Sequence, residues 1–210
     1  MGTAKKIWIL SGEASGDVYG AKLARELRLI AAERGETIEI VGMGGPEMRK
    51  ADIDIRVDST ELGVVGVIEV LKHIFTFIGI FFRLVGQAKR ERPGAVVLID
   101  YPGFNLLFAL MMYHHRIPVI WYVCPHLWVW GKWRLPVLAK ICTKMLVIFP
   151  FETEVFAHTK LRTEFVGHPL IDIVADRRIP GVERNPEDFL LLPGSRTMEI
   201  NFLLYPMLDT

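Results

Sequence analysis

Val96-Val97-Leu98-Ile99 sets four branched apolar residues in succession. A strand with one wet face alternates apolar and polar side chains, so an unbroken run predicts a strand covered on both faces, as in a parallel sheet flanked by helices. The run stops at Asp100. Pro102 and Gly103 follow as turn formers, and Phe104 and Asn105 open an apolar segment of helical character. Open α/β sheets hold their ligands beyond the carboxyl ends of the strands, which presents Asp100 at the lip of a crevice. The alternative assignment is an Asp that caps the turn or the next helix.

The same grammar recurs upstream. Ile7-Trp8-Ile9-Leu10 reads as a strand ending in Ser11-Gly12-Glu13-Ala14-Ser15-Gly16-Asp17, after which Leu23, Leu27 and Ile30 recur at helical spacing beside Lys22, Arg25, Glu26 and Arg28. A glycine-rich turn lets a ligand approach the backbone and aims helix N-terminal amides at it. Its spacing is not that of the dinucleotide fingerprint, so a nicotinamide cofactor gains no support. Residues 37–41 read as a further strand that runs into Gly42-Met43-Gly44-Gly45 as a loop, with Pro46 suited to a first helical turn. Successive strand, glycine, helix units predict right-handed βαβ connections and a Rossmann-like parallel sheet with helices on both faces. Residues 117–123 and 145–149 supply two more strands, and residues 164–170 a strand and turn.

Composition bounds the possibilities. With 210 residues, 51% hydrophobic and 23% charged, the chain can bury a sizeable core and is not globally disordered. A formal net charge of +1 gives no overall basic balance, so nucleic acid is not an expected partner. Cys124 and Cys142 have no matching Cys or His cluster, which leaves neither a disulfide framework nor a zinc site and fits a reduced, cytoplasmic setting. The N-terminus leads straight into a strand, without the layout of a signal peptide.

Residues 62–90 are unusual in composition. Glu69, Lys72, His73, Thr76 and Arg83 fall near one narrow helical stripe, opposite Val67, Leu71, Ile74, Phe75, Ile78, Phe82 and Val85, with Ile68, Val70, Phe77 and Phe81 widening the apolar side. The arc is broader than one sheet contact needs. Each such side chain left in water forgoes roughly 1.5–3 kcal/mol, so a cover is expected. Charges interrupt the run too often for a membrane span, which leaves a helix lying in the membrane interface or lining a lipid pocket. An ordinary buried helix or a homodimer contact is the alternative cover. Downstream, residues 101–151 contain no Asp or Glu but carry Arg116, Lys132, Arg134, Lys140 and Lys144. Trp128, Trp130 and Trp133 among those cations suit an interface with anionic headgroups or a phosphorylated ligand, although the same aromatics also suit a core.

Near the end, residues 176–188 have the charge, Pro and Gly content of an interdomain linker. Phe189-Leu190-Leu191-Leu192 reads as a new strand, Pro193-Gly194-Ser195-Arg196 as its turn, and Glu199 onward as a helix. A lone strand and helix cannot form a core, so a domain over 1–186 and the truncated start of a second over 187–210 are expected.

Taken together, these motifs resemble those of the lipid A disaccharide synthases. The resemblance lies in residues 11–17, 42–45, Gly66-Val67-Ile68-Glu69-Val70-Leu71, residues 99–105, Pro150-Phe151-Glu152, Phe165-Val166-Gly167-His168-Pro169, and Leu192-Pro193-Gly194-Ser195-Arg196 with Glu199. It implies the N-terminal half of a GT-B type glycosyltransferase, plus the first strand and helix of its second domain. The implied reaction moves 2,3-diacylglucosamine from its UDP conjugate to the 6-hydroxyl of 2,3-diacylglucosamine 1-phosphate, with inversion and without cofactor or metal. A related UDP-sugar glycosyltransferase or epimerase, and a non-catalytic lipid-binding membrane-surface module, are the alternatives.

On that resemblance the residues acquire roles. Asp100 becomes the base, Glu13 a second functional carboxylate, and Arg196 the cation that neutralises the departing diphosphate. Gly12, Ser15, Asn105, His168, Gly194, Ser195 and Glu199 become substrate contacts. Ile68, Val70, Leu71, Ile74, Phe75, Phe77 and Ile78 meet acyl chains or the inner-membrane surface, with the protein held there peripherally from the cytoplasmic side. The sequence departs from the family pattern at Gly94, Cys124 and His126, the last two in a turn where family members usually carry Ser and Gln-like residues. The fragment alone is expected to be inactive.

Overall fold

The computed structural model describes residues 5–59, 67–127, 131–176, 185, 187–194 and 197–209. It divides into two compact units, 1–170 and 171–210, each described by itself below. The expected boundary at 186/187 falls where residues 177–184 and 186 lie outside the described residues.

The first unit is built on seven parallel strands: β1 (Lys5–Ser11), β2 (Ile38–Gly44), β3 (Asp54–Asp58), β4 (Ala95–Ile99), β5 (Val119–Tyr122), β6 (Lys144–Val147) and β7 (Arg162–Phe165). Their order is β3-β2-β1-β4-β5-β6-β7, the doubly wound arrangement expected from the repeated strand, turn, helix grammar. Between them run α1 (Ala14–Glu33), α2 (Pro46–Lys50), α3 (Val67–Glu91), α4 (Pro102–His114), α5 (Leu135–Ile141), preceded by a 3-10 turn, and α6 (Glu152–Val155). A further helix, α7 (Pro169–Asp176), begins after β7.

Covered strands leave both faces dry, and alternate residues serve opposite layers. Trp8, Leu10, Val96, Leu98, Val119 and Trp121 share a buried cluster with Leu84, Val85 and Ala88 of α3 and Phe108 and Met112 of α4. On the other face Ile99 reaches the α1 backbone at Gly16 and Gly20, beside Met48 of α2. Val96, Val97, Leu98 and Ile99 are all buried, as the unbroken apolar run requires.

Two details correct the sequence reading. Gly42, Met43 and Gly44 belong to β2 rather than to a loop, and Gly45 alone connects to α2. Gly42 is there because a β-carbon would strike the Ile9 carbonyl of the neighbouring strand, a close backbone approach and not a turn. The edge strand β3, which the sequence reading omits, carries the alternation Asp54-Ile55-Arg56-Val57-Asp58, polar residues being tolerated where one side of the strand has no neighbour.

Asp17 joins the first two βα units. Fully buried, it accepts hydrogen bonds from the amides of Gly45 (2.7 Å), Glu47 (2.9 Å) and Met48 (3.0 Å), so it caps the start of α2 from the middle of α1's first turns. Arg28, three turns on, donates to the carbonyls of Ala51 and Asp52 at the other end of that short helix.

In the second unit, α8 (Thr197–Leu208) bears out the expected helix. Phe189–Leu192 forms no strand: these residues are exposed and irregular, because no other strand is described in this unit to complete a ladder. Among the described residues no helix is long and apolar enough to cross a membrane.

Candidate active site

Strand order reverses between β1 and β4, and the carboxyl ends at such a reversal open a crevice. The register is explicit: Ser11 pairs with Ile99, the last residue of each strand. Gly12 and Glu13 therefore emerge beside Asp100 and Tyr101. This is the juxtaposition that the two turn motifs foreshadow.

Backbone strain collects at the same rim. Among the described non-glycine residues with positive φ, Asp52, Arg92 and Arg116 directly follow helices or their caps, the ordinary place for a left-handed residue. Asp100 (φ 46°), Tyr101 (φ 48°) and Val123 (φ 65°) instead follow β4 and β5. A bulky aromatic and a β-branched residue rarely adopt this conformation, and such strain persists only where surrounding structure enforces it.

The enforcing contacts are visible. Asn105, fully buried in the first turn of α4, donates from Nδ2 to the carbonyls of Asp100 (2.7 Å) and Ile99 (3.2 Å), while its Oδ1 has no hydrogen-bond partner. Asn105, an expected substrate contact, holds the backbone of the Asp100 turn with both of its amide donors. The Asp100 amide donates to the Tyr122 carbonyl of β5 (3.2 Å). Tyr101 lays its ring over Gly12 and packs at 6.1 Å from Phe104.

The electrostatics suit a proton acceptor. Burial pushes the Asp100 carboxyl above its ordinary range, opposed by His126 and by the Tyr101 amide. Tyr19, whose ring lies 6.4 Å from that of Tyr122, is raised by burial and by the negative charge of Asp100. Tyr101 is raised by burial and by Glu13. Asp100 and Glu13 are both half-buried, so each is reachable from the crevice.

Neighbouring strand ends add Glu152 and Cys124, to which the sequence reading gave no role, beside the expected substrate contact His168. Glu152, at the start of α6, is buried, yet its Oε2 accepts from the amides of Ile148 (3.0 Å) and Phe149 (2.9 Å) while Oε1 has no hydrogen-bond partner. Burial raises its carboxyl, opposed by those amides and by His126 and His168. His168 stands edge-on to Phe149 at 5.4 Å, and its Nδ1 accepts from the Leu170 amide. Cys124 is buried, its thiol raised chiefly by burial, and donates to the Pro125 carbonyl.

The remaining expected residues divide by location. Ser15 is exposed on the first turn of α1. Arg196 and Ser195 lie outside the described residues, whereas Gly194 (φ 114°) and Glu199 meet within the second unit. On α3, Phe75 and Ile78 are exposed together with Phe82, but Phe77 packs on the core beside Ile80 and Phe81. The apolar arc of this helix is thus divided, one part facing the sheet and the other open. The side chains of Ile68, Val70, Leu71 and Ile74 lie outside the described set, as do Trp128 and Trp130. No cluster of metal-ligating side chains occurs among the described residues. A cavity of about 320 Å3 lined by Lys5, Ile7, Leu27, Ile30 and Gly94 lies at the opposite, amino ends of the strands.

A doubly wound parallel sheet with a half-buried carboxylate in a left-handed turn at its switch point defines a Rossmann-like α/β protein. The family model for lipid-A-disaccharide synthetase matches residues 7–210, and the chain belongs to that family. Curated relatives named lipid-A-disaccharide synthase include those of Koribacter versatilis (38% identical over 97% of this chain and 54% of the relative), Geobacter sulfurreducens (38%, 93% and 50%) and Trichlorobacter lovleyi (35%, 100% and 55%). The chain spans about half the length of these relatives.

Proposed function

We propose that this chain supplies the acceptor-handling and lipid-handling half of an inverting glycosyltransferase. The reaction moves 2,3-diacylglucosamine from UDP to the 6-hydroxyl of 2,3-diacylglucosamine 1-phosphate. Asp100 takes the hydroxyl proton as the acceptor oxygen attacks the anomeric carbon. The bond from that carbon to UDP breaks on the opposite face, which gives the β-1,6 disaccharide and UDP. The observation that carries this reading is the half-buried Asp100 in its left-handed turn at the switch point, beside Glu13. Burial favours the neutral acid, so the carboxylate is a stronger base than one in water.

In this reading Glu13 orients the acceptor and Asn105 fixes the base, with Ser15 and His168 at the rim. Arg196, with the amides of Gly194 and Ser195 and with Glu199 nearby, handles the UDP diphosphate from a second domain that begins near residue 187. The relatives' additional length is where the uridine contacts are sought, and the 210-residue chain alone is expected to be inactive. Phe75 and Ile78 on the open side of α3 meet acyl chains or the inner-membrane surface, so that the protein works peripherally at the cytoplasmic face; a homodimer is the competing cover for that side.

The test is an assay of the complete protein with both lipid substrates. Asp100→Ala should abolish disaccharide formation while binding of the acceptor to vesicles or micelles survives. An unchanged rate removes Asp100 as the base.

A further inference from the structure

α4 departs from the usual pattern of a surface helix, in which one side packs inward and the opposite side carries charge. Residues 102–114 contain no Asp, Glu, Lys or Arg. Phe108, Ala109 and Met112 join the core on the sheet, yet Leu107 is 56% exposed and Leu110 and Tyr113 are exposed as well. α5 and the turn before it repeat the arrangement. Leu138 and Ile141 are buried, while Trp133, Pro136 and Val137 are exposed at i, i+3 and i+4 spacing, with Lys140 following at i+7. Trp133 is 70% exposed.

These helices form one layer with α3. The Phe81 ring of α3 lies 5.3 Å from that of Phe104 and 6.2 Å from that of Phe108, and α4 packs in turn against α5. Leu84, Phe108 and Leu138 enter the same cluster beneath the layer, so the open side of α3 continues across its two neighbours. Each helix ends just before the next strand begins, which brings all three C-terminal turns to the amino pole of the sheet. Lys89, Arg90, Arg116 and Lys140 are exposed there. Helix dipoles account for cations at these ends, but not for the scarcity of acids around them. Glu91 of α3 is engaged by Lys6 and Arg56 of the sheet, and from residue 92 to residue 151 Asp100, at the opposite pole, is the sole Asp or Glu.

We infer that the whole outer face of the layer formed by α3, α4 and α5, and not α3 alone, lies on an anionic lipid bilayer. The apolar side chains of α4 and α5 enter the interface, Trp133 among them, and the cations of the amino pole meet the headgroups. A bilayer of anionic lipids matches this face in both respects, offering acyl chains to its apolar centre and negative charge to its cationic edge. The Asp100 turn leads directly into α4, so the crevice opens at the border of this face and a lipid acceptor reaches it from the bilayer. The inference rests on the peripheral reading proposed for α3.

Sedimentation of the 210-residue chain with vesicles of phosphatidylglycerol and phosphatidylethanolamine tests it. Leu107→Ser combined with Trp133→Ser should lower the partition coefficient at least about tenfold with little change in Tm. Leu29→Ser, comparably exposed on α1 at the other face of the sheet, should leave it unchanged. Lys140→Gln should weaken binding about fivefold on these vesicles and not on phosphatidylcholine alone. If both the Leu107 and Trp133 pair and Lys140→Gln sediment like the parent, while Phe75→Ser with Phe82→Ser does not, α3 is the entire contact and the inference is overturned. A parent chain that fails to sediment overturns the peripheral reading itself, so the two failures are told apart. Retained vesicle binding with an altered oligomeric state in the Leu107 and Trp133 pair would make the face a contact between copies, which also overturns the inference.

Discussion

The ring of Tyr101 packs over Gly12 so closely that a β-carbon on Gly12 would clash with its ring carbons. Two turns 89 positions apart in sequence are locked face to face by this contact. Gly12→Ala should therefore displace Tyr101 and destabilise the chain by about 1–3 kcal/mol, the usual penalty of forcing extra volume into a filled site. Urea denaturation measures the loss. A variant as stable as the parent would mean that the two turns separate easily.

Asp100 offers a stability test with a defined sign. Its folded value lies above the ordinary 3.8 because burial disfavours the charge, so the folded state gains from the neutral acid and loses that gain as pH rises through the folded value. Asp100→Asn keeps the neutral form at every pH, and Asn tolerates the left-handed backbone. The variant should melt higher than the parent near neutral pH and alike below the ordinary carboxylate range. A Tm difference independent of pH would contradict the burial argument.

Asn105→Ala removes both donors that hold the Asp100 turn. Two buried carbonyls, those of Ile99 and Asp100, lose a partner, at a cost of about 1–3 kcal/mol. In the complete protein, the proposed base role of Asp100 predicts that kcat falls more than KM rises, the carboxylate being misplaced while the acceptor still binds. An equal effect on acceptor affinity alone would return Asn105 to the substrate contacts.

The open side of α3 is tested by removing its most exposed aromatic surface. Phe75 is 84% exposed and Phe82 60%. Replacing both by Ser should leave Tm nearly unchanged while lowering sedimentation with anionic phospholipid vesicles at least about tenfold, given roughly 1.5–3 kcal/mol for each buried aromatic. If vesicle binding is retained and the oligomeric state changes, the side is a contact between copies.

Cys142 should resist alkylation. Burial pushes its thiol up to about 12, which leaves almost no thiolate near pH 8. Mass spectrometry after iodoacetamide should find Cys142 unmodified in the folded chain and labelled after denaturation. Rapid labelling of the folded chain would show that this part of the sheet opens readily.

Much of the architecture is legible because it depends on local pattern. The run Val96 to Ile99 announces a doubly covered strand, and the glycine-rich turn announces the β1 to α1 junction. Gly42 is misleading for a physical reason: glycine serves turns and close strand approaches alike, and only the position of the Ile9 carbonyl decides between them. The role of Asn105 is hidden likewise, since its partners lie on the backbone of the preceding turn, which no side-chain pattern reports. Glu152 is legible as part of a motif but not as a buried carboxyl, because its burial depends on how β5 and β7 flank β6. The helix of residues 67–91 shows its excess of apolar residues plainly, yet the division between packed Phe81 and open Phe82 follows from where α4 lies.

The left-handed residues at Asp100 and Tyr101 bear on protein engineering. Their shape is imposed by a glycine near the amino terminus, an amide side chain in the following helix and a carbonyl on the adjacent strand. Grafting residues 99–105 onto another α/β scaffold would let the loop relax into commoner torsions and swing the acid away. The segment is not a portable cassette; it keeps its form only while distant parts of the chain grip it.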